Sequence, residues 1–307
     1  CKHRACTRAA PPFACLLMSP STPAVIVVGS YVQDLTWRCA AFPIAGQTTL
    51  GAFTTGPGGK GSNQAVAAGR ASAATLFVGA VGADAFAEVA AKFYAENKIA
   101  ARFIPKPRLA TGTAAILVDD SGQNEIVVAL GANAALAPRD LPPSLFRGAR
   151  IVVTQLETGL AAVAHTLRVA RRAGAATVLN PAPMRADFDP ALLRDVDILI
   201  PNETEFVALV NQLGLAPKKK PYTEAALAAE TPAALHALCR RLGPPTVIVT
   251  LGKRGCFVSR SSGATHLPAH VVKAVDTTGA GDAFVGGFAS GFVRHEGDLL
   301  AAARQGQ

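Results

Sequence analysis

Asp282 closes the string Asp276-Thr277-Thr278-Gly279-Ala280-Gly281-Asp282, which lies between a β-like run, His270 to Val275, and an apolar stretch of helical character. Glycines at 279 and 281 permit a tight turn whose backbone N–H groups point one way. A helix starting there adds the positive end of its dipole, so the loop is a ready anion hole. A carboxylate at its edge stands where a general base must be to take the proton of a hydroxyl attacking a bound phosphate. The same residues also fit a plain glycine turn with Asp282 as helix cap.

A second string, Gly56-Pro57-Gly58-Gly59-Lys60-Gly61-Ser62-Asn63-Gln64, opens another helix. It contains a literal G-x-G-x-x-G at Gly56, Gly58 and Gly61, but Ala52 to Thr55 before it do not read as a buried strand, so a dinucleotide site is not supported. Lys60 is followed by glycine, which rules out a Walker A loop. Close backbone approach to a polyhydroxylated ligand, with Lys60 and Asn63 as hydrogen-bonding groups, is the better reading. Three weaker strings sit at strand ends: Gln155-Leu156-Glu157, Pro201-Asn202-Glu203-Thr204-Glu205 and Thr250-Leu251-Gly252-Lys253-Arg254-Gly255. Together they put polar groups along one edge of a sheet.

The elements that must position these groups follow from an alternation of β-branched runs with alanine-rich segments, the pattern of a parallel sheet covered by helices. Strands are expected at Val25–Val28, Thr75–Val78, Ile151–Thr154, Thr177–Leu179, Ile198–Ile200 and Thr246–Thr250. Helices are expected at about Ser62–Ala71, Asp84–Asn97, Gly159–Ala173, Glu203–Gln212, Pro232–Leu242 and Gly281–Arg294. The polar stretch Thr48–Thr55 and a hairpin of Ala114–Asp119 with Glu125–Leu130 read as antiparallel pieces that cover the open end of the sheet, and residues 214–231 read as a surface loop.

Half of the 307 residues are hydrophobic, enough for a sizeable core. No run of apolar residues is long enough to span a bilayer, which speaks against a membrane protein. The net charge of +9 is scattered, and the dense cluster Lys218–Lys220 has no interleaved aromatics, so nucleic acid is not the expected partner. Six cysteines without a C-x-x-C or zinc spacing fit reduced thiols in a cytoplasmic protein. The basic, acid-free stretch Cys1–Leu17 ahead of Met18 reads as an extension outside the fold, leaving 1–23 as non-globular and 24–307 as the folded domain.

The strings at 58–70, 131–136 (Gly-Ala-Asn-Ala-Ala-Leu), 180–183 (Asn-Pro-Ala-Pro), 201–205 and 276–282 resemble, in order and spacing, the ribokinase branch of the PfkB carbohydrate kinase family. The resemblance implies a three-layer αβα sandwich with a mainly parallel central sheet and a small β-sheet lid, here from about 34–57 and 103–131, often used for homodimerisation. It implies transfer of the ATP γ-phosphate to a small sugar, first of all D-ribose, with Mg2+ and a monovalent cation such as K+. By position, Asp34, Gly58, Gly59, Lys60, Asn63 and Glu157 are similar to the sugar-binding set and Asp282 to the base. Gly279, Ala280 and Gly281 are similar to the anion hole. Asn202 and Glu205 resemble the pair that organises magnesium, through water, and the phosphates. Thr250, Gly252 and Gly255 resemble the nucleotide turn, and Asp276 and Thr278 half of the potassium site. Val32 stands where the family usually has Asn, which keeps 2-deoxyribose, another sugar or a nucleoside as alternative acceptors. The family also runs some tens of residues past Gln307, so a C-terminal truncation is expected, which keeps a catalytically weak sugar- or nucleotide-binding homologue as a further alternative.

Overall fold

The computed structural model describes residues 22–216, 220–272 and 277–307. In chain order its strands are β1 (Val25–Val28), β2 (Val32–Arg38), β3 (Ala52–Gly58), β4 (Thr75–Val81), β5 (Ala100–Pro105), β6 (Gly112–Val118), β7 (Asn124–Ala129), β8 (Ile151–Thr154), β9 (Ala176–Leu179), β10 (Ile198–Leu199), β11 (Thr246–Thr250), β12 (Cys256–Arg260) and β13 (Gly263–Leu267). The helices are α1 (Lys60–Arg70), α2 (Ala85–Glu96), α3 (Leu160–Arg172), α4 (Glu203–Gln212), α5 (Glu224–Ala228), α6 (Pro232–Arg241), α7 (Ala280–Arg294) and α8 (Leu299–Gly306).

An unbroken β-branched run is stable only where both faces are covered. β1 is such a run, and it pairs in parallel with β4 and β8, Val27 lying between Phe77 and Val153. The large sheet has nine strands in the order β13-β12-β11-β10-β9-β8-β1-β4-β5. Alternate β1 residues serve opposite layers. Val25 and Val27 pack with α1, α2, α7 and α8, while Ile26 and Val28 face α3 and the turns before β8. The rest of that second layer, α4, α5 and α6, buries Phe206, Leu227 and Leu238 against β11. Three layers result, as expected.

A separate sheet of four strands runs β3-β2-β6-β7, with β2 and β6 parallel and the remaining pairs antiparallel. It draws on 32–58 and 112–129, because Ala100–Pro105 pairs with β4 in the large sheet instead. The polar stretch expected at Thr48–Thr55 becomes a strand only from Ala52, and it runs on through Gly58. β2 and the edge pair β12–β13 carry too little apolar alternation to have stood out. The expectation of a plain loop over 214–231 is corrected. Thr223 accepts from the Ala226 N–H to cap α5, whose Leu227 is buried, so α5 closes part of the core. His270–Val272 has no regular structure, and 273–276 lie outside the described residues.

Candidate active site

The helices α1 and α7 both start at a glycine with no side-chain cap, and both starts point at one pocket. Gly59 has φ 90° and Gly279 φ 72°, conformations that a Cβ strongly disfavours. At α1 the missing cap comes from far away in sequence. Glu157, just past β8, accepts at Oε2 from the Lys60 N–H (3.0 Å) and from Ser30 Oγ (2.5 Å). A carboxylate there meets unpaired N–H groups and the positive end of the helix dipole. Gly29 lets β1 leave the sheet beside this point, since a Cβ on it would lie 2.7 Å from the Gly61 Cα.

Asp282, in the first turn of α7, is buried among side chains of α1. Its Oδ2 accepts from Asn63 Nδ2 (3.0 Å) and its Oδ1 from Gln64 Nε2 (2.9 Å). The pocket beside it is lined by Lys60, Asn180, Asn202, Glu205, Thr250 and Gly281, among others. A Cβ added to Gly281 would meet nothing within 4 Å, so the helix start is open there. The N–H of Ala280, expected in the anion hole, is turned away and donates to the Thr277 carbonyl (3.1 Å), because the chain needs that bond to close the turn into α7. The open part of this helix start is therefore at Gly281.

Asn202 and Glu205 form a reciprocal cap on α4. Asn202 Oδ1 accepts from the Glu205 N–H (2.8 Å), and Glu205 Oε2 accepts from the Asn202 N–H (2.9 Å). Burial raises the Glu205 carboxyl above its ordinary range, and the backbone donor of Asn202 and the Lys60 charge work against that shift. Asp34 projects from β2 over Gly58, where a Cβ would fall 2.2 Å from its Oδ2, so only glycine leaves room for it. Burial, with the Glu157 charge nearby, pushes Asp34 up to about 6. Val32 is buried on the same face of β2 as Asp34 and pairs with Gly58.

The structure thus brings together Asp34, Gly58, Gly59, Lys60, Asn63, Glu157, Asn202, Glu205, Thr250, Gly279, Ala280, Gly281 and Asp282. Gly252 (φ 53°) and Gly255 (φ 90°) shape the turn after β11, next to Thr250. Thr278 stands in the turn before α7, and Asp276 lies outside the described residues. Among the described residues, no group of three or more His, Cys, Asp or Glu side chains is arranged to hold a metal ion. Sequence reasoning gave no role to Ser30, Gln64, Gln155 or Asn180, although Gln64, Gln155 and Asn180 lie inside strings it had singled out. Their buried hydrogen bonds tie the site together.

A buried carboxylate beside an open helix start, at the carboxyl ends of a doubly covered parallel sheet, is the layout of an enzyme that moves a phosphoryl group onto a hydroxyl. The profile described as pfkB family carbohydrate kinase matches residues 22–307. The chain is 39% identical to ribokinase of Mus musculus over 272 residues, 87% of this chain and 80% of that protein. It is 33% identical to deoxyribokinase of Salmonella typhi, over 92% of this chain and 89% of that protein. A structure of Arabidopsis thaliana ribokinase complexed with ribose and ATP superposes with a TM-score of 0.77 at 29% identity, over 92% of this chain and 91% of that one. The chain belongs to the pfkB family of carbohydrate kinases. Within it, this is a sugar kinase of the ribokinase-like kind.

Proposed function

We propose that this enzyme transfers the γ-phosphate of ATP to the primary hydroxyl of D-ribose, giving D-ribose 5-phosphate and ADP. The observation that carries the reading is Asp282, buried at the open start of α7 with both oxygens oriented by amides of α1. The similarity to a ribokinase solved with ribose and ATP supports the choice of substrates.

In this reading the sugar lies between Asp34, the Gly58–Gly59 backbone, Asn63 and Glu157. The attacking hydroxyl gives its proton to Asp282 as its oxygen bonds to the γ-phosphorus, and the bond to the ADP oxygen breaks. Charge developing on the transferred group meets the Gly281 end of the α7 dipole and Lys60. Thr250 and the Gly252–Gly255 turn flank the nucleotide. Asn202 and Glu205 offer hard oxygen ligands to a hydrated magnesium ion, which suits their place in the pocket and would offset phosphate charge. Asp276 and Thr278 are assigned to potassium on the resemblance alone. The folded kinase unit is taken as 24–307 with the small sheet as its lid, and the setting as cytoplasmic.

A specific observation favours a second substrate. Val32 lies on the Asp34 face of β2 and offers no hydrogen bond to a sugar hydroxyl, and a deoxyribokinase is among the relatives. A hydroxyl buried against it without a partner is disfavoured by about 1–3 kcal/mol. The expected ratio of kcat/KM for ribose over 2-deoxyribose is therefore small, and Val32→Asn raises it. An unchanged ratio removes Val32 from the sugar site. For the catalytic reading, Asp282→Asn should cut kcat by about 10² to 10⁴ while calorimetry still detects sugar and ATP binding. Wild-type turnover in that variant would falsify the assignment of the base.

A further inference from the structure

Gln64 is fully buried and every polar atom of its amide is engaged. Its Nε2 donates to Asp282 Oδ1 (2.9 Å) and to Asn180 Oδ1 (3.0 Å), and its Oε1 accepts from Gln155 Nε2 (2.5 Å). The direction of the chain is dictated by charge. A carboxylate only accepts, so the Gln64 amide must turn its N–H groups toward Asp282, and its oxygen then needs a donor on the far side. Gln155 supplies that donor, with a consequence visible in its other atom. Gln155 Oε1 is buried with no hydrogen-bond partner among the described residues and is pressed so close to Gly29 that a Cβ there would lie 2.0 Å away. A buried acceptor left unpaired is uncommon, and it marks an orientation imposed from the other end of the amide.

Asn180 extends the chain in the other direction. Its Nδ2 donates to the Ile200 carbonyl (2.8 Å) and reaches Glu205 Oε2 (3.4 Å). Gln64 therefore joins the carboxylate on α7 to the Asn202–Glu205 cap on α4 through side chains alone. Lys60 and Glu205 are the other charged groups lining that pocket.

We infer that Gln64 is a positioning residue for the transfer step, and that Gln155 acts through it. By holding Asp282 Oδ1, Gln64 fixes the plane of the carboxylate and leaves Oδ2, the oxygen beside Asn63, to receive the proton of the sugar hydroxyl. By holding Asn180 with the same nitrogen, it sets the distance between that oxygen and the phosphate-side groups of α4. The inference deepens the reading of Asp282 as base and rests on it.

The test uses the full chain with ribose or 2-deoxyribose, whichever turns over faster, and ATP. Gln64→Leu removes the donor, and its kcat is expected to fall by about 10- to 100-fold, because a small misplacement of a reacting group has that effect. KM for sugar and for ATP should stay within about 3-fold, the signature of an interaction felt in the transfer step rather than in binding. Gln155→Glu keeps the shape but puts an oxygen against Gln64 Oε1, so the Gln64 amide turns round and presents its oxygen to Asp282. That variant should lose kcat to a similar degree. The double variant should be no worse than Gln64→Leu within about twofold, because the two residues act along one path. Wild-type kcat in either single variant, a rise in both KM values equal to the loss, or losses that multiply in the double variant would each overturn the relay. Failure of the underlying reading looks different: Asp282→Asn would then stay active, whereas an inactive Asp282→Asn beside a fully active Gln64→Leu sinks the relay alone.

Discussion

Burial and the neighbouring Glu157 push Asp34 up to about 6, well above the ordinary 3.8, and the sign of that shift fixes two measurements. The folded protein holds this proton more tightly than the unfolded chain, so ionised Asp34 is a liability to the fold. The liability is absent below about 3.8 and complete above about 6, and stability from this group falls as pH rises through that window. Asp34→Asn should therefore stabilise the protein at pH 7.5, by about 1 kcal/mol once screening by solvent at this half-exposed site is allowed for, with the gain vanishing near pH 4. Denaturant titrations at both pH values check this, and equal stability of the two proteins at pH 7.5 would refute it. If the ionised form accepts from a sugar hydroxyl, KM for the sugar in the wild type rises as pH falls through about 6.

At the scale of elements, the site depends on how closely α1 and α7 cross, since α1 carries Asn63 and Gln64 and α7 carries Asp282. Gly286 sets that distance. A Cβ on it would lie 2.4 Å from the Gln64 carbonyl oxygen and 2.5 Å from Ala67 Cβ, and the nearest obstacle is helix backbone that cannot rotate aside. In an open helix, Gly to Ala stabilises by about 0.5–1 kcal/mol. Here overpacking, about 1–3 kcal/mol, opposes and exceeds it. Gly286→Ala is expected to lower the melting temperature and to reduce kcat, because the helices part and both amides draw back from Asp282. A variant as stable and as active as the wild type would show that the crossing tolerates more than its geometry implies.

For the whole molecule, the small sheet presents apolar surface that none of the described residues covers. Trp37 and Phe53 lie against each other on one face, and Ile126, Val127 and Val128 are 51%, 74% and 43% exposed on the edge strand β7. In register, Val127 shares the face of Trp37 while Ile126 and Val128 share the opposite one, and exposed apolar residues beside an open strand edge are characteristic of an interaction site. A second copy of the chain is the occupant proposed, through sheet-to-sheet contact. Light scattering should then give a dimer that Val127→Asp converts to monomer. Since Asp34 stands on the same sheet, KM for the sugar should rise with dissociation. A wild-type chain that is monomeric at all concentrations tested would remove the dimer.

Much of this was decided locally and could be read from the chain. The runs Val25–Val28, Ile151–Thr154 and Thr246–Thr250 are too apolar to be anything but covered strands, and Glu203–Gln212 begins at a cap that Asn202 and Glu205 form within a few residues. Asp282, Lys60 and the glycines around them were legible because a tight turn into a helix needs those types in that order. Other features depend on residues far apart in sequence. That Glu157 caps α1 across 97 positions, that Gln64 reaches Asp282 across 218, and that Ala280 spends its N–H inside the turn are consequences of packing. The same holds for β12 and β13, whose place at the sheet edge comes from a neighbour rather than from their own pattern. Candidates for an anion cradle and a base were visible in the chain because backbone conformation and side-chain chemistry are local properties. Which side chain holds each oxygen of Asp282 was settled by folding, because a buried amide takes its orientation from partners that the chain brings together when its helices cross.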